Sequence, residues 1–463
     1  MKTARHRSRK YGEQQGGAGR VKEQLRLWAV ERGRSLQNLA LAGLTYEERL
    51  VSLLGEDLSF EREKTTYSRH NFHAFAAKFP PQLPALFIEN LTQEGEVVLD
   101  PMAGSGTALL EAALLGRHAI GVDIDPLAYR VSTIKTMRVS PDAVLTAAHG
   151  VVRQAQRAIR DPERLRRAMA ANFSTETLRF IHYWFMPGTQ LELMALVEAI
   201  DRVEDARIKA FLEVALSSII VTKSGGVSMA RDLAHSRPHK DHEKIPKDAI
   251  EQFSQRVRKN LRSLAGPVPQ GHVQVYRGDA RHLQVGDDTV DLIVTSPPYA
   301  NAIDYMRAHK FSLVWLGEPI TALSELRSTY IGTEKTGAHP LQSFGKVSRE
   351  VLTEIMRRDE KKARVMSMYL RDMSLVFSEM LRVLNPGRCA VVVVGSSTMR
   401  GLDVRTHDCL AEVAASVGWR IVGMASRRIA RDKRMMPMRH GDSRSTQIEQ
   451  RMSQERVIGM VKP

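Results

Sequence analysis

From about residue 95 onward, short runs of β-branched and apolar residues alternate with polar, helix-like stretches. "EVVLDPMAGSGTALLEAALLGRHAIGVDIDP" (95–126) reads as strand, Gly-rich turn, helix and strand. Further strand signals follow at "VQVYRG" (273–278), "VDLIVTS" (290–296), "CAVVVVG" (389–395), "WRIVGMA" (419–425) and "ERVIGMV" (455–461). Helices are predicted over 363–384 and 404–417, and Asn385-Pro386-Gly387 stops the first and turns the chain into the next strand. Strands alternating with helices predict an α/β fold with a doubly wound, Rossmann-like sheet.

Between the second strand and "VQVYRG" the strand signal nearly vanishes. Apolar spacing around Leu191, Leu193, Val197, Ile200, Phe211 and Val214 predicts a large helical insertion there. Residues 318–362 read as a second, irregular stretch. Residues 21–58 look helical, with Leu25, Trp28, Leu36, Leu39 and Leu50 at helical spacings. The expected organisation is a basic arm and helical segment (1–60), a first part of the α/β domain (61–136), the insertion (137–270) and a second part (271–463). The insertion is also the candidate target-recognition region. Long insertions in compact domains usually serve function.

The chain of 463 residues has 43% hydrophobic residues, enough for real cores. "MKTARHRSRKYGEQQGGAGR" has no apolar stretch behind its basic residues, so no signal peptide is expected, and no apolar run approaches the roughly 18 residues that span a bilayer. A soluble, cytoplasmic protein without a membrane partner is expected. Cys389 and Cys409, the only cysteines, make a disulfide framework or cysteine zinc site improbable and read as small buried hydrophobes. No paired-His metal motif stands out: His235, His239 and His242 suggest a polar or phosphate-facing loop, and no metal is expected. A formal charge of +16 favours a polyanionic partner, nucleic acid first, although a merely basic protein has the same charge. Residues 1–34 hold ten Lys and Arg against three Glu, which suits an arm following a phosphate backbone or a solvated tail.

Two local patterns suggest chemistry. In "VLDPMAGSGTA", Asp100 ends a strand and Gly104 and Gly106 precede a helix, so the turn lets a ligand approach the backbone. Asp123 ends the next strand, where a carboxylate can hold ribose hydroxyls, and Asp279 ends a third. Gly-Ser-Gly, with Pro soon after the acid, argues against a dinucleotide fingerprint. Asp125, before Pro126, reads as a helix N-cap. The second pattern is "VTSPPYANAIDY" (294–305), a rigid corner at the end of an apolar strand, where two prolines fix the backbone.

Together, "DPMAGSGT", "TSPPY" and the upstream "RHNFHAFAAKFPPQLPALFIENL" (69–91) resemble the S-adenosyl-L-methionine-dependent amino-methylating DNA methyltransferases, which modify cytosine N4 or adenine N6. The likeness runs over about 69–136 and 273–463 and implies a methyltransferase sheet. It implies that Asp100, Gly104 and Gly106 hold the methionine part of the cofactor, Asp123 the ribose and Asp279 the adenine amino group. Phe79 and Pro80 would lie near the cofactor, with Pro101, Ser105 and Thr107 completing the set. Met102 departs from the family's usual Phe.

The corner fits such chemistry. A conjugated exocyclic amine is a poor nucleophile unless acceptors fix its N–H groups and make it more tetrahedral. Ser296 offers a hydroxyl oxygen and Pro297 a carbonyl, Pro298 helps freeze them, and Tyr299 can stack on a base flipped out of the duplex. Neither cysteine lies in a Pro-Cys context, which disfavours cytosine C5 methylation. For target recognition "TKSGGVSMARDLAHSRPHKDHEK" (222–244) is the candidate, with Arg307 and Lys310 near the flipped nucleotide's phosphates. The resemblance associates Ser-Pro-Pro-Tyr with cytosine N4 in double-stranded DNA, whereas adenine enzymes more often carry Asp at the position of Ser296. Alternatives are adenine N6 methylation, RNA amino-methylation or a silent nucleic-acid-binding subunit. A restriction endonuclease is a possible partner.

Overall fold

The structure, a computed structural model, describes residues 41, 43–76, 78–222, 226–231, 238–300, 304–333, 341–430 and 452–463. The basic arm 1–34 and Leu25, Trp28, Leu36 and Leu39 lie outside them. Among the described residues the central sheet has seven strands: β1 (Val97–Asp100), β2 (His118–Asp123), β3 (Val273–Arg277), β4 (Val290–Thr295), β5 (Leu384–Gly395), β6 (Arg420–Arg428) and β7 (Gln454–Val461). Helices in the first half are α1 (Tyr46–Leu54), α2 (Gln82–Leu91), α3 (Thr107–Leu114), α4 (Pro126–Thr136), α5 (Pro141–Ala158), α6 (Pro162–Asn172), α7 (Thr175–Trp184), α8 (Pro187–Asp201) and α9 (Ala206–Ile220). They continue with α10 (Ala249–Ser263), α11 (Tyr305–Leu313), α12 (Ile320–Arg327), α13 (Lys346–Arg358), α14 (Glu360–Val383) and α15 (Thr406–Ser416).

The strands lie in the order β6–β7–β5–β4–β1–β2–β3. Neighbours are parallel except β7, which runs antiparallel to β5 and β6. The chain winds from β1 to β2 and β3 on one side, and from β4 to β5 on the other. The order reverses between β1 and β4, so a crevice opens outside their carboxyl ends. This is the doubly wound, Rossmann-like α/β sheet that the alternating pattern predicts.

The period-2 alternation of a strand decides which residues meet which helices. On β5, Val391 and Val393 join Leu292 on β4 and the helices α1, α2 and α3 in one core. Val392 and Val394 point the other way, into a core with Ile293 and residues of α14 and α15. With both faces covered, the strands are continuously apolar rather than alternating. A capping box starts α1: the Glu48 N–H donates to Thr45 Oγ1 (3.3 Å) and the Thr45 N–H to Glu48 Oε2 (2.8 Å), an arrangement worth about 1 kcal/mol.

Helices α5 to α10 form a third core between α4 and β3, with Val144, Leu193, Ile200, Phe211, Val214 and Phe253 buried together. Leu191 and Val197 are partly buried against it. Phe311 and Trp315, beyond the corner, join the same core, so the insertion is tied to the chain that follows β4.

Three local expectations change. Residues 318–362 are not uniformly irregular, because α12 and α13 lie within them. In α13 the buried Ser348, Val351, Leu352 and Ile355 keep an i, i+3, i+4, i+7 spacing that the polar surroundings mask. Only Tyr46–Leu54 is helical in the described part of 21–58. Asn385-Pro386-Gly387 falls inside β5, whose pairing with β4 shifts register between Leu384 and Cys389, with Gly387 at φ +73°. Among the described residues no helix is long and apolar enough to cross a membrane.

Candidate active site

At the carboxyl edge of the sheet lies a cavity of about 360 Å³. Phe79, Asp100, Pro101, Gly104, Ser105, Thr107, Asp123, Asp279, Ser296 and Pro298 all line it. Residues from three separate stretches of sequence therefore meet in one place. Pro80, Gly106, Pro297 and Tyr299 belong to the same turns but are not among its lining residues.

The Gly-rich turn is set by backbone geometry. Gly104 and Gly106 have φ of +50° and +70°, a region that side chains disfavour. A Cβ on Gly106 would stand 2.7 Å from Ser132 Cβ, so this glycine lets the turn pack on α4. Gly104 faces the Phe75 ring on the cavity wall, 3.3 Å from where its Cβ would be. Asp123 Oδ2 accepts from the Gly104 N–H (2.7 Å), which links the turn to the end of β2.

The carboxylates differ in state. Burial pushes Asp100 up to about 7, against hydrogen bonds from Thr295 Oγ1 (2.7 Å) and the Met102 N–H (3.2 Å). Burial, helped by the neighbouring Asp125, also pushes Asp123 up to about 7. Asp125 caps α4, accepting from the N–H groups of Leu127 (2.8 Å) and Ala128 (3.1 Å), as its place before Pro126 predicts. Its other oxygen accepts from the Tyr330 hydroxyl (2.9 Å) and faces His309 Nδ1 (2.8 Å). Burial opposes it, but these partners keep Asp125 below the ordinary carboxylate range. Asp279 is likewise held low against burial by Arg281, whose Nη2 donates at 2.7 Å and whose Nη1 reaches Asp372 at 3.0 Å.

Two carboxyl groups, Asp100 buried and Asp123 partly buried, both shifted to about 7 in one cavity, suit a ligand that brings hydroxyl donors or positive charge. Met102 also lines it, adding an adaptable apolar surface.

At the corner, Ser296 and Pro298 face the cavity, whereas Tyr299 is 5% exposed. The Tyr299 hydroxyl donates to Glu455 Oε1 (2.7 Å), and Glu455 pairs with the buried Arg427 (2.9 Å). The ring lies behind the corner, close against Gly395 and packed into the core of the α14 face. Beside Phe79 and Tyr330, the cavity wall carries the aromatic pair Phe75 and Tyr305, stacked at 5.6 Å and 27°.

Sequence reasoning passed over that pair and the neighbouring Lys78 and Lys135, whereas it places Arg307 and Lys310 near the target's phosphates. Lys78, in "AAKFPP", lines the cavity, donates to the His70 carbonyl (3.0 Å) and is pushed down to about 8 by burial. Lys135 is fully buried beneath the Gly-rich turn, where it donates to Ser105 Oγ (3.2 Å) and burial lowers its pKa strongly. Arg307 lines the cavity but pairs with Asp304 (2.9 Å), which Arg327 Nε also reaches (2.6 Å). Lys310 is turned away, over the Phe180 ring at 5.3 Å. Tyr305, six residues past Tyr299, was the most findable of these, because it continues the same aromatic-marked segment.

Cys389 and Cys409 are buried free thiols, each pushed up to about 12 by burial. Of 222–244, residues 223–225 and 232–237, including His235, lie outside the described residues; His239 joins a two-residue ladder with Arg231. Among the described residues no group of three or more His, Cys, Asp or Glu is placed to hold a metal ion.

Residues 5–134 match the family model of the N6/N4 DNA methylases. The chain is similar to the Type II methyltransferase M.MvaI of Kocuria varians, at 25% identity over 390 residues, 77% of this chain and 83% of that protein. It is similar to the Type II methyltransferase M.BsoBI of Geobacillus stearothermophilus, at 21% identity over 432 residues, 81% of this chain and 85% of that protein. The Type II methyltransferase M.MjaII of Methanocaldococcus jannaschii is 34% identical over 97 residues, 20% of this chain and 18% of its own. Together these likenesses support an amino-methylating DNA methyltransferase of the N6/N4 family that uses S-adenosylmethionine.

Proposed function

We propose that the protein methylates the exocyclic N4 of cytosine in double-stranded DNA, on a base flipped out of the helix. The observation that carries this reading is Ser296, an uncharged acceptor on the wall of a cavity otherwise rich in carboxylates. A hydroxyl suits a pyrimidine that also presents its N3 and O2 acceptors, whereas a carboxylate there would repel them. The Ser-Pro-Pro-Tyr resemblance points the same way.

Asp100, with the backbone of the Gly104–Gly106 turn, takes the methionine end of the cofactor. Asp123 takes the ribose hydroxyls, and Asp279 the adenine amino group through lone pairs that Arg281 leaves open. Phe79 and Pro80 close the apolar side, with Pro101, Ser105 and Thr107 at the turn. The cavity fits this ligand, because Asp100 and Asp123, costly to ionise where solvent is scarce, gain hydroxyl donors and a nearby positive charge. When bound, S-adenosylmethionine supplies a methyl group made electrophilic by its sulfonium.

Ser296 Oγ and the Pro297 carbonyl accept the two N–H groups of the target amine and draw its lone pair out of conjugation. Pro298 keeps that geometry rigid. Tyr299 acts from behind, through the Glu455 contact that braces the corner, and the Phe75–Tyr305 pair gives an incoming ring a flat surface.

The relatives named as Type II methyltransferases favour a site-specific modification; we infer a cytoplasmic protein for which a restriction endonuclease is a possible partner. Residues 61–136 and 271–463 carry the chemistry, and 137–270 the target recognition. Mass spectrometry of nucleosides from plasmid grown with the protein tests the product. N4-methylcytosine is expected; N6-methyladenine alone overturns the cytosine assignment and leaves the family intact.

A further inference from the structure

A second concavity lies on the helical insertion, between the end of α9 and the outer face of α10. Lys244, Lys247, Arg256, Arg258, Lys259 and Arg262 line it, and among the described residues no carboxylate does. Its charge follows from helical periodicity. In α10 the residues Ala249, Ile250, Phe253 and Val257 face the core, which leaves Gln255, Arg258, Lys259 and Arg262 at i, i+3, i+4 and i+7 on one outer stripe. Arg258, Lys259, Arg262 and Lys247 are exposed. Deeper in the groove, burial lowers the pKa of Arg256, while burial and Arg231 push Lys244 down to about 8. At the rim, between Lys244 and Lys247, Ile245 is 90% exposed, an apolar side chain that the described residues leave uncovered.

The groove is tied to the active-site cavity. Ser218, on its wall, donates through Oγ to the Phe72 carbonyl (3.1 Å), which Asn260 Nδ2 of α10 also reaches (3.3 Å). Phe75, on the cavity wall, is three residues further along, at most about 11 Å of extended chain. The point where α9 and α10 meet Phe72 is therefore within the scale of a duplex groove, roughly 12 Å wide, of the cavity wall. The cations stand on the outer face of α10 beyond it.

We propose that this groove is a binding site for the phosphodiester backbone of duplex DNA, with Lys247, Arg258, Lys259 and Arg262 on the phosphates and Ile245 against a sugar. The site rests on the DNA reading above and adds to it a grip distinct from the base-holding cavity. Fluorescence anisotropy with a labelled DNA duplex, repeated over a range of salt concentrations, tests it on the full chain with Arg258→Gln, Lys259→Gln and Arg262→Gln combined. The log–log salt slope should become shallower by about 2 to 3, since each lost phosphate contact removes about 0.9. S-adenosylmethionine affinity by calorimetry and the thermal unfolding midpoint should stay at wild-type values, which separates lost contacts from misfolding.

An unchanged slope in a folded variant overturns the site, and if plasmid methylation persists the methyltransferase reading survives that failure. Conversely, a shallower slope with no methylated nucleoside from the wild-type protein supports the groove while the catalytic reading fails. Equal slope loss with tighter wild-type binding of an RNA duplex of the same sequence would reassign the partner and overturn the proposal.

Discussion

The cavity and the groove are both concave and both built from charged side chains, yet their charges are organised in opposite ways. In the cavity, Asp100, Asp123, Asp125, Asp279 and Asp304 share the walls with Lys78, Arg281, Arg307 and Arg327, so signs are mixed. Asp100 and Asp125 are buried and most of the others are partly buried, and their pairings give each a set position. In the groove the cations are of one sign, and four of them are exposed. Mixed, desolvated charge recognises one small molecule by geometry. Single-signed, hydrated charge attracts a long polyanion with little regard for detail. The cavity has little net charge of its own, so the formal +16 of the chain resides elsewhere.

That division has measurable consequences, the largest at the reacting group. Ser296→Ala should lower turnover by about 100-fold or more, the order seen when one preorganised hydrogen-bonding group is removed from a reacting centre. Its salt slope for DNA and its affinity for S-adenosylmethionine should match wild type. A changed slope would mean that the corner also grips the backbone, and the separation of the two surfaces would fail. Next in size, Asp123→Ala should weaken S-adenosylmethionine by at least about tenfold, through loss of charge-assisted hydrogen bonds. Calorimetric titration checks this, and an unchanged dissociation constant would sink the ribose assignment.

The two surfaces were unequally legible in the sequence. The cavity could be read because its residues sit at strand ends, where β-branched runs such as 290–294 give way to a few polar positions with fixed roles. Asp100, Asp123 and Ser296 are each placed by the strand before them. The contacts that join those ends could not be read. Lys135 beneath Ser105, Tyr330 on Asp125 and Asp372 on Arg281 pair residues far apart in the chain, and no local pattern encodes such a meeting. Tyr299 shows a further limit. The motif placed it at the corner, but its side-chain direction depended on Glu455, 156 residues away. The groove was the least legible of all, since its stripe looks like any solvated helix face until α9 closes the other side.

pH offers a smaller test of the same comparison. Asp100 and Asp123 have pKa values raised to about 7, so without ligand they hold protons below that pH. Hydroxyl and cationic groups of the cofactor favour the ionised forms, so binding must release those protons in acid. Affinity for S-adenosylmethionine should therefore rise from pH 6 toward pH 8, by at most about tenfold per unit for each proton released. Calorimetry in buffers of different ionisation enthalpy should detect the release, and a flat profile with none would break the assignment. In the groove Lys244, pushed down to about 8, still holds its proton between pH 6 and 7. The salt slope of DNA binding should accordingly change little between pH 6 and 7.

The smallest effect expected is that of Tyr299→Phe, which asks whether this residue works by its ring or its hydroxyl. The substitution keeps the ring against Gly395 and removes only the donor to Glu455. Glu455 retains Arg427, so no buried charge is left alone and the cost should be about 1 kcal/mol, the usual net worth of one hydrogen bond. If the hydroxyl merely braces the corner, denaturant unfolding should show that loss, while turnover falls only a few-fold and cofactor affinity holds. Tyr305→Ala, which removes an aromatic face lining the cavity, should cost more turnover while leaving global stability nearer wild type. The reverse ranking, with Tyr299→Phe crippling turnover at unchanged stability, would put the Tyr299 hydroxyl in contact with the base. The corner would then have to open toward the cavity when DNA binds, taking Tyr299 from its partner on β7.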